Sequence, residues 1–126
     1  MKKILVTDKA PAAIGPYSAG VQAGNTVYVS GQLGTVPATG DFAGDTIEAQ
    51  TRQSLENMKA ILEAAGYTMA DVVKTTCLLA DIGDFAAMNA VYAEYFPQDC
   101  PARAAFQVGC LPRNGLVEIE AIAYKA

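Results

Sequence analysis

Two helical stripes separated by a β-branched run limit what this chain can fold into. Between Asp45 and Ala65, apolar residues recur at Leu55, Met58, Ile61, Leu62 and Ala65, spacings of three and four that line one helix face, with Gly66 placed as a C-cap. Asp84 is placed to cap a second helix whose stripe is Phe85, Met88, Val91, Tyr92 and Tyr95, and Pro97 stops it. A helix with one apolar face has to bury that face against another element, and the remaining segments read as strands. Thr-Val-Tyr-Val-Ser between Gly24 and Gly31 reads as a strand ending in a sharp turn at Gly31; Asp71 to Leu79, Arg103 to Val108 and Leu116 to Ala123 read as three more. Gly109 to Gly115 carries the Gly, Pro and Asn-Gly punctuation of a connecting loop. The order strand, strand, helix, strand, helix, strand, strand predicts an α+β fold, one domain over residues 1–126, with both helices on one face of a single sheet. No further layer remains for the opposite face. Self-association through that face, in a symmetric homo-oligomer, is the expected cover.

Composition removes whole classes of function. The chain has no histidine, so triads with a His base, HExxH metal sites and Cys/His zinc sites are excluded, and proton transfer falls to Asp, Glu, Tyr, Lys, Cys, backbone or water. Cys77, Cys100 and Cys110 form no CxxC pair, and their odd number leaves at least one outside any disulfide, so they read as reduced thiols. A net charge of −4, with nine basic residues scattered singly apart from Lys2-Lys3, argues against a nucleic-acid partner. The opening Met1-Lys2-Lys3-Ile4-Leu5-Val6 is ended by Thr7, Asp8 and Lys9 before an export leader is complete, and no apolar run reaches membrane-spanning length. The expectation is a cytoplasmic protein with no membrane partner.

A few residues stand out as carriers of chemistry. Arg103 lies among small and apolar residues in Pro-Ala-Arg-Ala-Ala-Phe, where a permanent charge is costly unless something anionic meets it. The ordinary reading is an ion pair with a buried carboxylate or an arginine at a sheet edge; the functional one is a guanidinium fork that clamps a substrate carboxylate. Glu118 and Glu120 alternate with Val117, Ile119 and Ala121, so both carboxylates share one strand face, which is either plainly solvated or the seat of a general base. Tyr17 follows a Gly-Pro turn signal, Ser30 precedes Gly31, where a missing Cβ permits close approach, and Asn89 sits in the second helix. Each has an ordinary structural reading beside the functional one.

Taken together, Ala10-Pro-Ala-Ala-Ile-Gly-Pro-Tyr17-Ser18, Val27-Tyr-Val-Ser30-Gly31-Gln32, Ala49-Gln-Thr-Arg-Gln-Ser-Leu-Glu-Asn-Met, Val73-Lys-Thr-Thr, Asp84-Phe, Pro101-Ala-Arg103 and Val117-Glu118-Ile-Glu120-Ala-Ile-Ala resemble the RidA (YjgF-type) family of reactive intermediate deaminases over almost the whole chain. The resemblance implies a chorismate-mutase-like domain with one mixed sheet, a homotrimer whose sheets form a central barrel, and clefts between subunits. It implies hydrolysis of 2-iminobutanoate or 2-iminopropanoate to a 2-keto acid and ammonia, without a cofactor or a metal. Carried over by position, Arg103 resembles the substrate-carboxylate ligand and Glu118 the holder of the hydrolytic water, while Tyr17, Ser30, Gly31, Asn89 and Ala105 match cleft positions. The departure is Ala105, where the best-known members carry cysteine; the backbone carbonyl serves the family's role at that position. Two rivals are a regulatory module that holds a small carboxylate without turning it over, and a ribonuclease, which the acidic charge and missing histidine disfavour.

Overall fold

The computed structural model describes residues 1–126. Six strands form one sheet: β1 (Lys3–Leu5), β2 (Gly20–Ala23), β3 (Thr26–Leu33), β4 (Val72–Leu79), β5 (Ala102–Gln107) and β6 (Val117–Tyr124), with helices α1 (Ile47–Ala64) and α2 (Phe85–Tyr95). The spatial order is β1-β2-β3-β6-β4-β5. All neighbours are antiparallel except β4 and β5, so the sheet is mixed and α2 is the crossover between its parallel pair. β6, last in the chain, inserts between β3 and β4 and makes the sheet continuous.

The helix α1 carries its own start and stop. Thr46 Oγ1 accepts from the Ala49 amide at 3.1 Å, satisfying one of the donors a helix N-terminus leaves free. At the other end Gly66 takes a left-handed φ of 77°, with the Tyr67 amide donating to Leu62 O at 2.9 Å and the Gly66 amide to Glu63 O at 3.0 Å, the paired bonds of a Schellman motif. The stripe Leu55, Met58, Ile61 and Leu62 is buried, as the spacing requires. Gln50, Ser54 and Asn57 are also buried, which apolar periodicity did not predict. They serve the chain leaving β3: Ser54 Oγ donates to Gln32 O at 2.6 Å, and Asn57 Nδ2 to Thr35 O at 2.8 Å. Gln50 accepts from the Leu116 amide at 2.9 Å and donates to Gly44 O at 2.8 Å.

Met88, Val91 and Tyr92 bury the α2 stripe. Asp84 stands at the N-cap position of α2, as expected, but its side chain makes no capping hydrogen bond. A single 3₁₀ turn, Ile82–Asp84, precedes the helix, and its cap is Asp81, whose carboxylate accepts from the Gly83 amide at 2.8 Å. Gly24 begins a hairpin rather than bounding a lone strand: at φ 60° it turns β2 into β3 directly before Asn25. Nor does Gly31 end β3. The strand runs through it, with the register slipping between Val29 and Gln32 against β6.

Both helices cover one sheet face, where Val27, Val29, Thr75, Cys77, Leu79, Val117, Ile119, Ala121 and Ala123 are buried. The opposite face is bare in a single chain. It presents Tyr28, Phe106 and Tyr124, each about half exposed (49%, 49% and 50%), alongside Leu78, Ile122, Glu118 and Glu120, an apolar area rimmed by carboxylates of the kind that marks an interface.

Candidate active site

Arg103 lies on β5 beside Thr75 of β4, and Thr75 faces the helices. Its side chain therefore meets α2. Nη1 donates to Asn89 Oδ1 at 2.6 Å, and the guanidinium carbon lies 5.3 Å from the Phe85 ring centre and 4.9 Å from that of Tyr92. No carboxylate pairs with it; the chain's ion pair is Arg52 with Glu94, on the surface. An internal ion pair is thereby removed as the reason for Arg103, while its reading as an arginine at a sheet edge fits, because β5 is the edge strand and Arg103 is exposed on it. The charge is held by one amide and two aromatic faces, and the other in-plane donors have no side-chain partner. A planar cation so held is a receptor for a planar anion.

Glu118 lies on β6, one residue out of phase with the buried Ile119 and Ala121, and so on the bare face. It lines a cleft of about 640 Å³ together with Tyr17, Ser30, Gly31, Gln32, Arg113 and Glu120. The β3 slip builds this cleft. Ser30 Oγ donates to Ser18 O at 2.6 Å and the Ser30 amide to Ala19 O at 2.9 Å, which pins the Tyr17 segment to the bulge. At Gly31 a Cβ would sit 2.7 Å from Glu118 Oε2, so a larger residue there would displace that carboxylate. Partial burial, and secondarily the nearby charge of Glu120, raise the Glu118 pKa above the ordinary carboxylate value. A carboxylate whose pKa is raised in a cleft is a candidate to take and return a proton.

The site residues named from the sequence thus fall into two groups. Arg103, Asn89 and Ala105 belong to the β5/α2 edge, on the helix-covered side; Tyr17, Ser30, Gly31 and Glu118 belong to the cleft on the bare side. Ala105 lies beside Cys77 of β4, which is fully buried and whose thiol burial pushes up to about 11. Cys77 therefore does not replace the thiol that Ala105 lacks. No three Cys, Asp or Glu side chains are placed to hold a metal ion.

Sequence reasoning missed three participants. Phe85 and Tyr92 were assigned to the α2 core stripe, and their spacing of i, i+7 around Asn89 was the available signal that all three share the Arg103 face. Arg113 was absorbed into a loop. It adopts a left-handed φ of 57°, followed by Asn114 at 59°, and its guanidinium lies 5.1 Å from the Phe42 ring centre at the cleft rim.

The mixed sheet thus leaves one face bare, with an unpaired arginine on the helix-covered side and a glutamate of raised pKa in the cleft on the other. Residues 7–125 match the family model described as endoribonuclease L-PSP. A goat (Capra hircus) protein named 2-iminobutanoate/2-iminopropanoate deaminase is 53% identical over 123 residues, covering 98% of this chain and 90% of its own. Among solved structures, a Thermotoga maritima protein described as a candidate endoribonuclease superposes with a TM-score of 0.97 at 50% identity, over 100% of this chain and 99% of that one. Escherichia coli TdcF, solved with bound serine, gives 0.94 at 44% identity, over 98% and 99%. The chain belongs to the endoribonuclease L-PSP (YjgF/RidA) family. No helix is long and apolar enough to cross a membrane.

Proposed function

We propose that this protein hydrolyses short 2-imino acids, 2-iminobutanoate and 2-iminopropanoate, to 2-keto acids and ammonia in a cleft completed between two copies of the chain. The observation that carries this reading is the placement of Arg103 and Glu118 on opposite faces of one sheet. A substrate as small as these imino acids cannot reach both within one chain. A neighbour whose β5/α2 edge docks beside the Glu118 cleft brings them together, and closed cyclic association, for which the family resemblance implies a homotrimer, repeats the junction at every interface while covering the bare face.

In that cleft the substrate carboxylate pairs with the free donors of Arg103, a charge-assisted contact contributing about 1.5–3 kcal/mol. Glu118 and the Ala105 carbonyl orient a water toward the imine carbon. Because β5 is an edge strand, part of its backbone lacks strand partners and is free to face such a water. Ionised Glu118 takes a proton as the water attacks, and returns one to the nitrogen as the carbinolamine collapses to keto acid and ammonia. Imines hydrolyse unaided, so positioning and charge complementarity suffice, and no cofactor is invoked. The names of the mammalian relatives support this chemistry, and serine held by TdcF supports a site fitted to a small carboxylate. The net charge of −4 and the acidic cleft lip weigh against an RNA substrate.

The test is keto acid formation from 2-aminoacrylate or 2-iminobutanoate, generated in situ by a dehydratase. Wild type is expected to accelerate hydrolysis, and Arg103→Ala and Glu118→Ala to lose that acceleration while remaining folded and associated. Full activity in Arg103→Ala sinks the assignment. A wild type that adds nothing over buffer turns the cleft into a site that only holds its ligand.

A further inference from the structure

Arg103 has no counter-ion in the chain, yet its side chain is specified at every point along α2. Phe85, Asn89 and Tyr92 stand at i, i+4 and i+7, one stripe facing β5. The amide at the middle of the stripe takes one guanidinium donor at 2.6 Å, and the rings on either side lie within cation–π range of its carbon. The Tyr92 ring is itself locked: its hydroxyl shares a buried hydrogen bond of 2.7 Å with Thr75 Oγ1, and its face packs on Phe96 with ring centres 4.7 Å apart. Thr75 is the β4 neighbour of Arg103 in register. The strand pair and the helix therefore position the same guanidinium, one through its backbone and the other through its plane.

We propose that Phe85 and Tyr92 are positioning residues that orient the Arg103 guanidinium for a planar carboxylate. This rests on the reading of Arg103 as the substrate-carboxylate ligand. The rings occupy positions where water would otherwise solvate the guanidinium, and Asn89 consumes one in-plane donor, which restricts the fork to the edge it presents outward. A long, rotamer-rich side chain is thereby ordered before the ligand arrives, so less freedom is lost on binding. Burial also holds the Tyr92 hydroxyl protonated, its pKa raised chiefly by desolvation, so it serves the ring rather than the chemistry.

The test is a set of double-mutant cycles with two readouts, kcat and KM for 2-iminobutanoate hydrolysis and calorimetric Kd for the product analogue 2-oxobutanoate. Tyr92→Leu and Phe85→Leu should each weaken 2-oxobutanoate binding by about three- to fivefold, the size of a cation–π contact at an exposed guanidinium. KM should rise and kcat change less. Tyr92→Phe, which keeps the ring and loses only the hydrogen bond, should stay within about threefold of wild type. In an Arg103→Ala background the same substitutions should have no further effect, because nothing remains to be oriented. Equal losses in both backgrounds would mean that the rings act through general packing, and would overturn the proposal; Phe85→Leu keeps the test open if Tyr92→Leu fails to fold. A wild type that binds 2-oxobutanoate through Arg103 without turning over imine would refute the deaminase reading alone, and the cycle in Kd would still decide this one. Binding that is indifferent to Arg103 would overturn it.

Discussion

The two regions of the proposed site are built on different principles. At the β5/α2 edge, Arg103 is clasped by Asn89, Phe85 and Tyr92, and every contact lies within about ten residues of helix and one strand pair. In the cleft, Glu118 makes no side-chain hydrogen bond; its position is set by a missing Cβ at Gly31 and a slipped register in β3. One half is ordered by attraction and the other by the room left for it. A permanently charged arginine needs only orientation to hold an anion. A carboxylate that is to move protons needs freedom from strong donors, which would pull its pKa down.

Under the proposed mechanism, removing the Glu118 carboxylate should have the largest effect. Glu118→Gln keeps shape and hydrogen-bonding capacity but cannot take a proton, and is expected to lower kcat by about 10²-fold or more while 2-oxobutanoate still binds, as steady-state kinetics and calorimetry would report. An unchanged kcat would place the proton transfer elsewhere. Gly31→Ala tests the spatial argument: the added methyl meets Glu118 Oε2 at 2.7 Å, so the carboxylate or the bulge must shift. A kcat/KM lower by about tenfold is expected, since misplaced groups lose catalysis steeply, with circular dichroism unchanged.

The pH profile separates the halves next. Burial first, and Glu120 second, raise the Glu118 pKa. The ionised form is the base, so the acid limb of kcat/KM should lie above the ordinary carboxylate range. Glu120→Gln removes the like charge and should move that limb to lower pH; a limb that stays put or rises would show that Glu120 does not act on Glu118. The same shift has a stability sign: a carboxylate whose pKa is raised on folding costs stability at pH above that pKa, and the cost shrinks as pH falls through it and vanishes below the unfolded value. The smallest effect is expected at Asn89→Ala, which removes one of several restraints on Arg103. KM for 2-iminobutanoate should rise roughly fivefold, about 1 kcal/mol of hydrogen bonding, with the acid limb unmoved. A shifted limb there would mean that the halves are not separable.

Much of this was legible in the sequence wherever a single residue carries the signal. The α1 stripe and its Gly66 cap were read directly, and the Val117 to Ala123 alternation placed Glu118 and Glu120 on one face. Arg103 was conspicuous because a charge among alanines needs a reason. What escaped reading depends on pairing between distant segments. The expected order has two strands before α1, but only the second was located, because β2 is four residues long, although Gly24-Asn25 is itself a two-residue turn signal. Gly31 was read as a strand end because a glycine inside a strand and one at its terminus look alike until the partner strand is known. Gln50, Ser54 and Asn57 look like solvent positions by polarity, and are buried because the chain leaving β3 offers them carbonyls. The division of the site between two faces follows from register between β4, β5 and β6, which no local pattern records.

The central claim is that one chain supplies Arg103 and its neighbour supplies Glu118. It is tested most directly by subunit complementation: Arg103→Ala and Glu118→Ala proteins, each inactive alone, are unfolded, mixed in equal amounts and refolded together. If every cleft draws one residue from each of two adjacent copies, random assembly leaves about a quarter of the clefts intact, and about a quarter of wild-type imine hydrolysis should return. A refolded, associated mixture as inactive as its parents would place both residues in the same chain's site and contradict the account.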